Sequence, residues 1–129
     1  MTFATRVGNI DFRVPANFPK TAPWEGDVTL GDVMLHRIDV RIPPGHNGAT
    51  GLQIQFNGVV VVPWESDDEW LVSNDESFSF PIETEVDTLL QLWGFNTGNY
   101  DHRFYCRFFY TPITLLTPLE YSTPIVPVA

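Results

Sequence analysis

The sequence predicts an all-β protein, an antiparallel β-sandwich of jelly-roll or Greek-key type with extended, proline-rich termini. Three observations carry this. Apolar and polar residues alternate with period two in segment after segment, as in strands with one buried face. Eleven prolines and nine glycines among 129 residues leave little room for long helices, because both residues interrupt the helical ladder and favour turns. Turn signals recur roughly every 8–12 residues, the spacing of sandwiches and barrels. The length fits one domain, large enough to bury a core without disulfides. Ten Phe and four Trp supply large side chains to fill it.

Taken in order, residues 1–33 are expected to form an N-terminal arm or loop. Three prolines lie between positions 14 and 33, and periodicity there is weak. Core strands are expected over 34–111. "MLHRIDVRI" places Met34, His36, Ile38, Val40 and Ile42 on one face and Leu35, Arg37, Asp39 and Arg41 on the other. "LQIQF" points Leu52, Ile54 and Phe56 inward and Gln53 and Gln55 outward. Asn57-Gly58 follows, then four valines. Asn-Gly between β-prone runs is a strong hairpin signal, since a type I′ turn needs positive φ at both central residues. "EWLVSNDESFSFPI" suggests a second hairpin, with residues 70–72 and 77–82 as arms and Phe78, Phe80 and Ile82 on one face. "TEVDTLLQLWGF" fits two patterns. Val86, Leu89, Leu90 and Trp93 have helical spacing, whereas Leu90 and Leu92 against Leu89, Gln91 and Trp93 fit a strand buried on both faces. The neighbouring strands favour the second. "HRFYCRFFY" turns His102, Phe104, Cys106, Phe108 and Tyr110 one way and Arg103, Tyr105, Arg107 and Phe109 the other. The tail, 112–129, is proline-rich yet apolar, so it is expected to lie extended along this domain or a neighbouring subunit.

Charge narrows the partners. The formal net charge is −9; no Lys or Arg occurs between Arg41 and Arg103, and nine of the sixteen acids fall within residues 65–87. Phosphate backbones and anionic membranes call for the opposite sign, so neither nucleic acid nor membrane is an expected partner. The longest aliphatic run, Val59–Val62, is four residues, far short of the roughly 20 that a membrane helix needs. The opening "MTFATRVGNIDF" shows no apolar h-region. The lone cysteine, Cys106, forms no intrachain disulfide and fits a protein made inside a cell.

Few residues form a chemical constellation. Asp67, Asp68 and Glu69, with Glu65, Asp75 and Glu76, are a weak calcium candidate: the acids are dense, but their spacing matches no EF-hand. The histidines, His36, His46 and His102, lack metal-ligand spacing. His102 and Cys106 share a strand face with Phe104 between them, too far apart for a nucleophile–base pair. Cys106 reads as a small buried hydrophobe. "PPGHNGATG" has no Lys and no following helix, so it is a mobile-tipped turn rather than a phosphate cradle, with Asn47-Gly48 at the bend. No cofactor is expected. Trp24, Trp64, Trp70, Tyr105 and Phe109 could stack on sugars, or fill the core or a subunit interface. "GFNTGNYDHRF" reads as a turn over residues 96–99 with Gly98 free to take positive φ. Tyr100 and His102 then face one way, and Asp101 and Arg103 face the other, free to pair with neighbouring strands. His102 could sense pH at an interface.

Three stretches, "VRIPPGHNGATGLQIQFNGVVVVPW", "EWLVSNDESFSFPI" and "GFNTGNYDHRFYCRFFY", resemble small β-sandwich virion proteins of tailed bacteriophages. The shared features are a Pro-Gly-His turn before a strand, a W-x-V-x-x-D-E hairpin, and an N-x-G-x-Y-x-H turn into a late strand. The resemblance covers roughly residues 38–113. The resemblance implies a non-enzymatic structural protein, capsid-decorating or tail-associated, located in the virion. Its partners would be further copies of itself and other virion proteins. Trp64, Trp70, Tyr100, His102, Tyr105 and Phe109 are the expected interface or binding residues. A glycan-binding module or adhesin on the same particle is the alternative, and a cupin-type enzyme holding a metal on histidines is a third.

Overall fold

The computed structural model describes residues 5–63, 70–86 and 89–113. Eight strands run in chain order: β1 (Arg6–Val14), β2 (Trp24–Thr29), β3 (Val33–Ile42), β4 (Thr50–Phe56), β5 (Val59–Val62), β6 (Glu76–Val86), β7 (Leu89–Asn96) and β8 (His102–Pro112). They form two four-stranded sheets, ordered β1-β8-β3-β6 and β2-β7-β4-β5, with antiparallel pairing throughout. Successive strands alternate between sheets except β4 and β5. This is the jelly-roll order that the sequence class anticipated.

Local signals explain the central elements. The β4–β5 turn has Asn57 at φ 51° and Gly58 at φ 79°, and it sets Phe56 opposite Val59. The segment over 84–95 is strand on both sides, the end of β6 and then β7. On β8, Phe104, Cys106 and Phe108 are buried while Arg103, Tyr105 and Arg107 are exposed. The core joins these to Val14, Leu35, Ile38, Val40 and Ile42 from the same sheet. Leu52, Ile54, Leu90 and Leu92 come from the facing sheet, and all are at most 3% exposed.

Five expectations need correction. The N-terminal third, read as an arm or loop, contains two strands: β1 lines the sheet edge beside β8, and β2 pairs with β7. Its prolines fall in the connection between them. The alternation over 34–42 breaks at its start. Val33 and Leu35 are buried with Ile38, Val40 and Ile42, because a bulge between Leu35 and Arg37 shifts the register against both neighbours. An extra residue in a strand reverses which side chains face the core. Glu83, at φ 50° on β6, accommodates the same irregularity. His36 bonds through Nδ1 to its carboxylate at 2.8 Å and through Nε2 to Thr111 Oγ1 at 2.8 Å.

Third, residues 70–82 are not a hairpin. Leu71 bridges to Leu52 (N···O 2.9 and 3.1 Å) while β6 pairs with β3, so the chain crosses from one sheet to the other. Fourth, Gln53 points to the outer face as its alternation with Leu52 and Ile54 requires, yet it is buried there, opposite Trp93 in the ladder and accepting from Gln55 Nε2 at 3.1 Å. The outer face of that sheet is partly covered. Phe95 is 3% exposed and lies over Gly51, where a Cβ would come within 2.1 Å of the ring. Trp70 meets Phe95 edge-on at 5.1 Å and the Lys20 ammonium sits 5.0 Å above it. Fifth, Gly98 does not take positive φ. The turn after β7 is built by the Asn96 side chain, whose Oδ1 accepts the Gly98 N–H at 2.9 Å. The apolar tail lies outside the described residues; the described chain ends with Ile113 donating to Asp32 O at 2.9 Å.

Candidate functional site

Two places gather polar chemistry: the outer face of the β1-β8-β3-β6 sheet, and the loop end of the sandwich near His46.

Cross-strand register organises the outer face. One row runs Asn9, Arg107, Asp39, Ser79; the next runs Asp11, Tyr105, Arg41, Ser77. A third places Val7, Phe109, Arg37 and Pro81 side by side. Five of the chain's seven cations are on this face: Arg13, Arg37, Arg41, Arg103 and Arg107. Four are held by carboxylates. Arg13 reaches Asp101 at 3.5 Å, Arg37 reaches Asp39 at 3.1 Å, Arg103 reaches Asp11 at 3.2 Å, and Arg41 pairs with Asp75. Exposed pairs of this kind contribute about 0–1 kcal/mol each, so their importance lies in the surface they arrange. Arg107 differs: its Nε donates to the neutral Asn9 Oδ1 at 3.1 Å. Phe109 lies beneath the Arg37 guanidinium, 4.0 Å from ring centroid to Cζ. Between the first two rows runs a groove of about 640 Å³. Ile10, Val40 and Cys106 border it but turn their side chains into the core, so its floor is backbone.

At the loop end, His46 is 1% exposed. Its Nε2–H donates to Arg103 O at 2.9 Å. A carbonyl only accepts, so Nδ1 is left to accept the Thr50 hydroxyl at 2.6 Å. The ring contacts His102 at 4.5 Å and Phe104 at 4.9 Å. The loop read as a mobile-tipped turn is therefore pinned. Asn74 Oδ1 also accepts from Gly45 N and Asn47 N, at 2.9 and 3.1 Å, and Gly45, Asn47 and Gly48 have positive φ. In sequence, only Thr50 four residues on hints at a partner for His46.

Burial first, then the neighbouring His102, hold the His46 pKa below its ordinary 6.5, while the Arg103 carbonyl partly offsets them. The sign follows by linkage. The unfolded chain takes up a proton near pH 6.5 and the folded protein does so only at lower pH. The stabilisation is complete above about 6.5 and is lost as pH falls through the depressed value. Urea unfolding should show stability dropping as pH falls below about 6.5, with a shallower dependence in His46→Gln. Equal slopes would remove His46 as the cause.

The structure scatters the sequence-chosen residues. His46 and His102 meet, but His36 is engaged at the bulge, and no group of three or more metal-ligating side chains occurs among the described residues. Cys106 is 3% exposed and its thiol is pushed up to about 12 by burial, which suits a core residue rather than a nucleophile. Tyr100 stands at the tip, 78% exposed; Tyr105 is 43% exposed in the groove, and Trp70 is half-buried against Phe95. Asp101 and Arg103 pair across to β1 as their alternation suggested. Trp64 and the calcium candidates Asp67, Asp68 and Glu69 lie outside the described residues. Sequence reading missed Arg107, Asn9 and His46, whose partners are 98 and 57 positions away.

No protein-family model matches the chain, and no curated protein matches it. Solved structures do. A chain of the cyanophage Pam1 capsid asymmetric unit is 8% identical with TM-score 0.57, over 85% of this chain and 86% of that one. The decameric BFDV capsid protein is 8% identical with TM-score 0.46, over 85% and 96%. A protein of Bacillus endospore appendages, described as a family of disulfide-linked pili, is 14% identical with TM-score 0.45, over 87% and 92%. At such identities the likeness is one of fold: the chain shares its β-sandwich with a chain of a phage capsid.

Proposed function

We propose that this chain is a non-enzymatic structural protein of a virus particle, capsid- or tail-associated, that assembles with copies of itself and with other virion proteins. The observation that carries the reading is the jelly-roll likeness to the cyanophage capsid chain across 85% of the sequence. The tailed-phage motif pattern over residues 38–113 supports it independently. Its surface is compatible with assembly. β1 and β5 are sheet edges, and each carries a valine nearly half exposed, Val7 at 48% and Val59 at 47%. Free edge groups are a template for pairing with another chain.

Light scattering on concentrated protein should give a mass at least twice the 14.7 kDa of one chain. It should fall when residues 114–129 are removed, leaving the Ile113–Asp32 bond intact. A monomer at every concentration, with or without the tail, would defeat the assembly reading. Mass spectrometry of purified particles tests location directly. A glycan-binding module is the second reading, favoured by one observation, the exposed Tyr105 ring set in a polar groove. The two roles are compatible on one particle.

A further inference from the structure

The outer-face groove has a charge left over. Asp11, Asp39 and Arg41 are each engaged in an ion pair, with Arg103, Arg37 and Asp75. Among the described residues, Arg107 is the one arginine of this face without a carboxylate; its contact is to an amide oxygen. The chain is strongly acidic overall, but bulk charge beyond about 8 Å is screened at physiological salt. The groove lining itself holds two aspartates and two arginines; with their ion-pair partners counted, four arginines stand against three aspartates, and the unmatched one is Arg107.

Beside Arg107, one row along β8, stands the Tyr105 ring, 43% exposed. An exposed aromatic face packs against the C–H face of a sugar ring, and phenol rings of this kind combine apolar area with low entropy loss. The groove also presents the Ser77 hydroxyl, the Ser79 hydroxyl, whose hydrogen goes to Asp39 Oδ1 at 2.7 Å but whose oxygen can still accept, and the Asn9 amide, whose oxygen accepts from Arg107; these groups suit sugar hydroxyls. About 640 Å³ falls within the roughly 300–1,000 Å³ of small-molecule sites. Guanidinium groups recognise carboxylates through two parallel N–H···O bonds. Nε of Arg107 is committed to Asn9, which fixes the fork and leaves its terminal nitrogens free of any carboxylate partner among the described residues.

We propose that this groove binds a saccharide bearing a carboxylate, with a sugar ring on Tyr105 and the carboxylate on Arg107. This deepens the glycan-binding reading and rests on it, and it is independent of the virion role. Two monosaccharides that differ only in the acid group, glucuronic acid and glucose, are titrated into the full chain and followed by backbone amide shifts. Saturating shifts at Asn9, Tyr105 and Arg107 are expected with glucuronate, with affinity at least about tenfold above glucose. Arg107→Gln should reduce glucuronate to the level of glucose, and Arg107→Lys should recover only part, since a point charge lacks the fork. Tyr105→Ala should weaken both sugars, with circular dichroism unchanged. Equal affinity for both sugars, or glucuronate binding indifferent to Arg107→Gln, overturns the carboxylate assignment while leaving a glycan site. No groove shifts with either sugar overturns both. Groove shifts that instead follow protein concentration without sugar assign the groove to a second copy and overturn the proposal.

Discussion

Phe104→Ala is expected to lower the unfolding free energy by about 3–5 kcal/mol, the range for deleting a buried phenyl ring. Phe104 is fully buried at the middle of an aromatic column. Trp24 stacks on Phe12 at 5.4 Å, Phe12 on Phe104 at 5.4 Å, and Phe104 meets the His46 ring at 4.9 Å. The column joins β2 of one sheet to β1 and β8 of the other and ends at the loop that carries His46. Truncation removes the ring's transfer energy and leaves a cavity whose walls are rigid strands, so little collapse offsets the loss. Domains of this size are stable by roughly 5–15 kcal/mol, so the variant should lose about a fifth of its stability or more. Urea denaturation would show it as a lowered midpoint with an unchanged slope. Phe109→Ala is the control: Phe109 lies on the outer face under Arg37, and its loss should cost under about 1 kcal/mol. Equal costs for the two would contradict the column.

Asn96→Ala is the second large effect, at about 2–4 kcal/mol. Asn96 is fully buried. Its Nδ2 donates to Val14 O at 3.0 Å and to Tyr100 O at 2.7 Å, while its Oδ1 accepts the Gly98 N–H. Alanine orphans two carbonyls and one amide, each costing about 1–3 kcal/mol if water stays out. The Tyr100 and Gly98 groups are only part-buried, so hydration recovers some of that. Asn96→Asp sharpens the test. It keeps the acceptor for Gly98 but turns an oxygen toward two carbonyls, so it should destabilise at least as much as alanine at neutral pH. The Asn96 backbone also pairs with Phe18 in both directions, at 2.7 and 2.9 Å. Amide exchange at Phe18 should accordingly quicken in both variants. A cost under about 0.5 kcal/mol, the size of an ordinary surface change, would show that the three bonds do not act together.

These residues also show where sequence reading stops. Asn96 was legible as part of a turn, because asparagine followed by glycine two positions on favours one. Its hold on Val14, 82 positions earlier, was not, since nothing local marks a partner that distant. Residue type leaves Gly98 free to take the left-handed conformation, whereas the turn closes through the Asn96 side chain without it. Tyr105 and Phe109 were rightly placed on the outward face by alternation. That one would line a groove and the other lie under a guanidinium depended on which strands came alongside.

By itself, the sequence determined the class of the protein and the inner face of most central strands. Side-chain alternation is a property of the extended backbone, and Asn57-Gly58 makes its turn through its own φ preferences. Tertiary structure decided what rests on pairing between remote segments: that a proline-bearing N-terminal third supplies β1 and β2, that a bulge at His36 turns Leu35 inward, and that His46, Gln53 and Asn96 are buried. It also gathered five arginines, spread from Arg13 to Arg107, on one sheet face and left the last of them without a carboxylate among the described residues. Strand order and register set these outcomes, and their energies come from contacts made only once the two sheets have closed on each other.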